Sequence, residues 1–161
     1  MKKLDVLADI KQPQIFPWRT PVSRVAIKAG SIDELTCAGV FEYIPGTLRG
    51  KFMDEVYRIL HPEGKATFTV PHWQSTRAFQ DFRYAWPPLC EQSFLYFSKS
   101  WREANKLDLG LKCNFDFTYG YAWEATTAAR SDEARAFNTR HYCNCIDALQ
   151  LVLTKAKPVN A

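Results

Sequence analysis

Few residues of this 161-residue chain have side chains and spacings that could do chemistry. Carboxylates stand at Asp9, Glu42 and Asp81, the last within D-F-R-Y, and Tyr43 follows Glu42 directly. A carboxylate in a dry pocket can act as a general base or hold a polar ligand. A tyrosine is a poor base near neutral pH, because its unperturbed pKa is about 10. Glu42 has two readings, a pocket acid or a loop acid bonded to backbone, and the loop role is the commoner one. Cysteines sit at 37, 90, 113, 143 and 145. The odd count and irregular spacing indicate reduced thiols, not a disulfide framework. Cys37 or Cys90 as a nucleophile would need a base, and nothing in the spacing brings His61, His72 or His141 to either. HYCNC, residues 141–145, puts His141 and Cys145 on one helical face and Cys143 on another. No second pair completes the four ligands that zinc wants, so no metal is expected.

The elements that must position these residues are clearest between 39 and 71, GVFEYIPGTLRGKFMDEVYRILHPEGKATFTVP. SIDELTCAGV before it reads as a strand. Leu48, Phe52, Val56, Ile59 and Leu60 recur at helical spacing, with Thr47 as a plausible N-cap. Lys51, Asp54, Glu55 and Arg58 should then face water. His61-Pro62-Glu63-Gly64 should stop the helix, with Gly64 in a left-handed conformation, and KATFTVP should be a buried strand. One helix between two strands at this distance is a βαβ crossover with a parallel pairing.

Elsewhere, LDVLADI (4–10) alternates as a strand, and KQPQIFPWRTP is an extended loop. SRVAIKAG is ambiguous. Short helical stretches are expected near 74–80 and 98–106. KCNFDFTYGY (112–121) alternates as a strand, with Phe115, Phe117, Tyr119 and Tyr121 on one face, a face more often core or interface than ligand platform. SDEARAFNTRHYCN should be a helix capped by Ser131, and IDALQLVLTKAK a final strand. Trp73, Trp86 and Trp123, near loop ends, are candidates for a pocket or a protein interface. The tail KPVNA should fray.

The run of strand, F-E-Y-I-P, helix ending in R-I-L-H-P-E-G, and strand resembles the middle of a class I S-adenosylmethionine-dependent methyltransferase. Members of that family often read L-E-H-I-P and V-L-K-P-G-G at these places. HWQSTRAFQDFRYAW and FDFTYGYAW look like one small branch of it, largely phage and bacterial. The resemblance extends from about residue 4 to about residue 155. It implies an α/β fold, a reduced Rossmann-like methyltransferase sheet of about five mostly parallel strands flanked by helices. It implies S-adenosylmethionine as the cofactor and no metal. On the cofactor side it points to Asp9, similar to the acid that contacts adenine, to Phe16 in the loop after it, and to Cys37 and Gly39 closing the fourth strand. On the reaction side it points to Glu42, Tyr43 and Asp81.

The front of the chain departs from the family. A glycine-rich turn is needed there because a Cβ would block close approach of backbone to the cofactor. The chain has seven glycines, none before Gly30, and no G-x-G. LDVLADI is most similar to the family's third strand, so the first two strands and both main cofactor motifs look absent. With them gone, a loop-capping role is favoured for Asp9. Tyr43 and Tyr84 stand where the family often has histidine. The expectation is therefore a single truncated methyltransferase-like domain over residues 1–161. It would have lost autonomous cofactor binding and would act as a structural or interaction protein. One alternative is a working methyltransferase whose site another chain completes. Another is a small-molecule binder or enzyme with new chemistry in the old cleft, which the 14% aromatic content would serve. LDVLADI could slide beside SIDELTC or leave an open edge. An open edge invites pairing, most simply as a two-fold homo-oligomer or with a protein partner.

Bulk properties fit this reading. With 47% hydrophobic and 24% charged residues the composition is that of an ordinary globular domain. The net charge of +4 forms no basic run, so nucleic acid is not indicated. No apolar stretch is long enough for a membrane span, and MKKLDVLADIKQ lacks the apolar core of a secretion signal. The expected location is cytoplasmic.

Overall fold

A computed structural model describes residues 1–19 and 25–156. The end of KQPQIFPWRTP, the start of SRVAIKAG and the tail KPVNA lie outside the described residues. Five strands, β1 (Lys3–Asp5), β2 (Ile32–Ala38), β3 (Leu60–Pro71), β4 (Phe115–Trp123) and β5 (Ile146–Lys155), form one sheet in the order β1-β2-β3-β5-β4. β1, β2 and β3 pair in parallel, whereas β5 is antiparallel to both β3 and β4. The expected strand number holds. The expected parallel character holds for the first half of the sheet only.

The crossover from β2 to β3 runs through helix α2 (Gly46–Ile59), as its apolar spacing requires. Phe52, Met53, Val56 and Ile59 on it are fully buried. Phe52 meets Phe41 at 5.2 Å between ring centroids, Phe41 meets Phe68 of β3 edge-on at 5.5 Å, and Phe68 meets Phe94 at 6.1 Å. Each ring buried this way stabilises the fold by about 1.5–3 kcal/mol relative to exposure. Phe94 lies on the short helix α3 (Gln92–Leu95), which precedes α4 (Lys99–Ala104). A 3₁₀ turn at Thr76–Phe79 and α4 match the two expected short helices, while α3 had no signal of its own.

Several local expectations are corrected. LDVLADI is a strand only at its first residues. The Asp5 carboxylate accepts from the backbone N–H groups of Leu7 (2.9 Å) and Ala8 (3.3 Å), and starts the one-turn helix α1 (Val6–Asp9). β1 does slide beside SIDELTC, with Leu4 opposite Leu35. Thr47 is not the N-cap of α2: the helix opens one residue earlier, and the Pro45 carbonyl accepts from Leu48 and Arg49. Glu55 is buried and Asp54 and Arg58 are half-buried, because chain segments cross the face of α2 expected to meet water. Asp54 accepts from the N–H groups of Lys112 and Cys113, at 2.9 and 2.8 Å. His61–Gly64 is not a left-handed helix stop. It is a bulge in β3, four residues facing only Asp33 between the pairs Ile32–Leu60 and Glu34–Lys65. Gly64 is needed there for space, since a Cβ would come within 2.9 Å of the Ile32 carbonyl oxygen and 3.0 Å of that of Asp33.

The helices cover one face of the sheet. Ala66, Phe68 and Val70 of β3 and Leu149, Leu151 and Leu153 of β5 point into that core. On the opposite face Thr36, Thr67, Val152 and Thr118 pair in one row across four strands, and all are exposed. Helices α5 (Ala125–Ala128) and α6 (Asp132–His141) follow β4, and α6 has no buried residue. Ser131 caps α6 as expected, accepting from the N–H of Ala134. No helix among the described residues is long and apolar enough to cross a membrane.

Candidate functional site

The parallel strands β1 and β2 end side by side, and open α/β sheets place their sites at such carboxyl ends. Beyond β1 the chain turns into α1. Beyond β2, Gly39 takes φ 69°, a conformation that disfavours other residues, and swings the chain into a 3₁₀ turn at Phe41–Tyr43. Between these two turns lies a cleft of about 530 Å³. Leu7, Ile10, Val40 and Ile44 supply apolar wall, and Lys11 and Arg83 bring positive charge. None of the described residues that line it is acidic.

Two residues singled out from the sequence, Gly39 and Tyr43, line this cleft. Asp81 is tied to it: the Tyr43 hydroxyl donates to Asp81 Oδ2 at 3.0 Å, and Arg83 grips the same carboxylate through Nε and Nη2. The guanidinium of Arg83 holds the Asp81 carboxyl well below the usual carboxylate range. Burial, and then the bond to Asp81, pushes the Tyr43 hydroxyl up to about 12. Near neutral pH Tyr43 is thus a hydrogen-bond donor and no base. Its ring packs on Tyr84 at 4.8 Å and lies beneath the Arg83 guanidinium at 5.4 Å.

The other predicted residues are elsewhere. Asp9 accepts from the N–H of Asp5 at 2.8 Å and closes α1 upon itself. Phe16 packs on Trp18. Cys37 is fully buried in the core, where burial pushes its thiol up and leaves it inert. Glu42 faces away from the cleft and is only 8% exposed. Burial raises its carboxyl above the usual range, Oε2 has no hydrogen-bond partner, and the nearby Arg49 guanidinium opposes the rise. Arg49 itself donates to the carbonyls of Ile44, Ala85 and Pro87. A void of about 10 Å³ beside this pair is at the lower limit for one water. Arg49 thus fastens the 85–87 loop, and Glu42 lies beside it as a buried structural acid.

Sequence reasoning missed a second cluster at the carboxyl end of β3. His72 is buried, its Nδ1 accepts from the N–H of Gln74 at 3.4 Å, and its Nε2 lies 3.3 Å from Glu91 Oε1 without hydrogen-bond alignment. The Tyr121 hydroxyl donates to the same Glu91 oxygen. Burial lowers the His72 pKa and Glu91 works against that fall. The residues stand 19 and 30 positions apart in pairs along the chain, so no local pattern could link them. Lys11 also carried no signal, whereas Arg83 stood beside Asp81 in D-F-R-Y.

His141 and Cys143 are exposed and Cys145 is buried, so HYCNC does not converge. Among the described residues no group of three or more His, Cys, Asp or Glu is placed to hold a metal ion. Trp73, Phe79 and Trp86 border an open depression of about 400 Å³, with Trp86 76% exposed. Trp123 lies under the Arg135 guanidinium at 5.8 Å.

No family profile and no curated protein matches the chain. Solved structures do. An S-adenosylmethionine-dependent methyltransferase from Archaeoglobus fulgidus is similar over 80% of this chain and 62% of that one, with a TM-score of 0.52 and 10% identity. The YcgJ protein from Bacillus subtilis is similar over 90% and 69%, with a TM-score of 0.42 and 13% identity. Phosphoethanolamine N-methyltransferase 2 of Haemonchus contortus is similar over 81% and 35%, with a TM-score of 0.44 and 16% identity. The first likeness establishes the fold: a Rossmann-like methyltransferase sheet flanked by helices. The chain spans less than two thirds of that structure's length.

Proposed function

We propose that this chain, which has the class I methyltransferase fold, is a methyltransferase-like domain that does not hold S-adenosylmethionine by itself and acts as a structural or interaction protein. The lining of the cleft carries this reading. S-adenosylmethionine brings a sulfonium cation and a ribose diol. A carboxylate suits both, and glycine backbone suits close approach. The turn that follows β1 instead presents the side chains of Val6, Leu7 and Ile10, and the lining adds Lys11 and Arg83 with no acid. The N–H groups of Leu7 and Ala8, which could have met a ligand carboxylate, are already bonded to Asp5.

The surface supports an interaction role. Parallel sheets usually have both faces covered, yet the row Thr36, Thr67, Val152 and Thr118 is exposed. Among the described residues the outer strand β4 pairs only with β5, and it carries the ring series Phe117, Tyr119, Tyr121 and Trp123. An edge of this kind suits a second copy or another chain, giving an oligomer. The second reading, a working methyltransferase completed by another chain, draws on the volume of the cleft, which falls within the range of small-molecule sites.

The test is a calorimetric titration of the purified chain with S-adenosylmethionine and S-adenosylhomocysteine, with the mass measured by light scattering. No heat up to millimolar ligand, from a species heavier than one chain, is the expected result. Micromolar binding would overturn it and favour the second reading.

A further inference from the structure

We infer that the cleft between α1 and the Gly39 turn binds a small anionic amphiphile, an apolar body with a single carboxylate or phosphate head. Its volume of about 530 Å³ suits such a ligand. Four aliphatic side chains, Leu7, Ile10, Val40 and Ile44, form the apolar wall. Leu7 remains 65% exposed there, so a ligand body laid on it would remove apolar surface from water. The charge is one-sided. Lys11 and Arg83 line the cleft, and no described lining residue is acidic.

Lys11 is open to a ligand head, and Arg83 shares its charge with Asp81. Lys11 forms no ion pair with any described residue. Arg83 binds Asp81 through Nε and Nη2, so a ligand head would have to use Nη1 of its fork. The carboxylates close by are already engaged: Asp5 with Leu7 and Ala8, Asp9 with Asp5, and Asp81 with Tyr43 and Arg83. A head with positive charge would meet Lys11 without a counter-charge and an Arg83 whose charge Asp81 offsets. A neutral head would gain the apolar wall alone. Tyr43, with its proton retained, adds a polar rim.

The experiment is a set of titrations of the full chain at low salt. The ligands are decanoate, decyl phosphate, decanol and decyltrimethylammonium, each below its micelle concentration. Both anions should bind about tenfold or more tightly than decanol, a difference of about 1.4 kcal/mol that one unit-charge contact near a protein surface can supply. Decyltrimethylammonium should bind weakest. The stronger of the two anions identifies the head as carboxylate or phosphate. Lys11→Glu should weaken both anions about tenfold and leave decanol unchanged. Leu7→Glu, at an equally open position, should do the same to the anions and also weaken decanol. Equal affinity for decanol and the anions would overturn the inference. So would anion affinity indifferent to Lys11→Glu, or no binding of monomeric anions, including the case where vesicles of phosphatidylglycerol alone retain the chain. The inference goes beyond the loss of cofactor binding and stands apart from it. S-adenosylmethionine binding would overturn the proposed function, while the ranking of the four amphiphiles would still decide this one.

Discussion

Glu55 holds Trp18 in place across the chain: its Oε1 accepts from the backbone N–H of Trp18 at 2.7 Å while its carboxylate is gripped by Arg58. Arg58 also donates to the Ile27 carbonyl at 2.8 Å. One ion pair on α2 thus fastens the segment between β1 and β2 at two points, Trp18 and Ile27, and Trp18 drops into the core against Phe52 at 4.9 Å. That segment lies next to the cleft, so its position sets one wall.

Glu55→Ala should destabilise the fold by about 2–3 kcal/mol. It leaves a buried N–H without an acceptor, which costs about 1–3 kcal/mol, and it strips a buried side chain from its packing. Arg58 is a third exposed and adds little to that sum. Glu55→Gln keeps an acceptor for Trp18 and should cost about 1 kcal/mol. Urea midpoints of the two variants check the order. Equal costs would mean that the charge, and not the bond to Trp18, matters.

Gly64→Ala should cost about 1–3 kcal/mol, the usual range for overpacking. The added Cβ meets two backbone oxygens of β2, and backbone cannot swing aside as a side chain can. Gly120→Ala on β4 is the control. Nothing lies within 4 Å of its Cβ position, so the change should be neutral or slightly stabilising. Thermal melts of the two variants should separate by several degrees.

The βαβ unit was legible because its signals are local. Helical spacing from Leu48 to Ile59 and the short strands around it need no distant partner. The solvent face of α2 was misread for the opposite reason. Asp54 and Glu55 look like surface acids until residues from 18 and from 112–113 arrive to use them. LDVLADI was half misread because alternation over seven residues outweighed one Asp cap. Gly64 was correctly marked as special but for its φ, when the reason was a neighbouring strand. Of the candidate site, Gly39 and Tyr43 were legible through the strand end that carries them. Lys11 was not, because only the pairing of β1 with β2 sets α1 opposite the Gly39 turn, and Arg83 was visible only as a neighbour of Asp81 in D-F-R-Y.

His72 should make stability fall in mild acid. Its folded pKa is lowered, first by burial, so the unfolded chain binds the proton more readily. The contribution is full above the ordinary histidine value of about 6.5 and is lost as pH falls through the folded value. Glu91, which faces the ring, opposes the effect, and the Tyr121 hydroxyl on Glu91 tempers Glu91. His72→Gln cannot titrate. Between pH 7.5 and 5 the native chain should lose more stability than this variant, read from urea midpoints at each pH. Parallel curves would mean that His72 does not titrate differently on unfolding.

Glu42 should act with the opposite sign. Its folded pKa is raised, chiefly by burial, against the pull of Arg49 and two backbone N–H groups. The folded chain therefore binds this proton more readily than the unfolded chain. The contribution is full below the ordinary glutamate value and is lost as pH rises through the folded value. Glu42→Gln mimics the protonated acid at every pH. At low pH the two proteins should be of similar stability, because both present a neutral group to the void beside Arg49. As pH rises from 4 to 7 the native chain should lose stability relative to Glu42→Gln, until the carboxylate is fully ionised. If the gap instead opens in favour of the native chain, the ionised carboxylate is worth more to Arg49 than burial costs it. Glu42 would then be the counter-ion that holds the 85–87 loop, not a strained acid beside it.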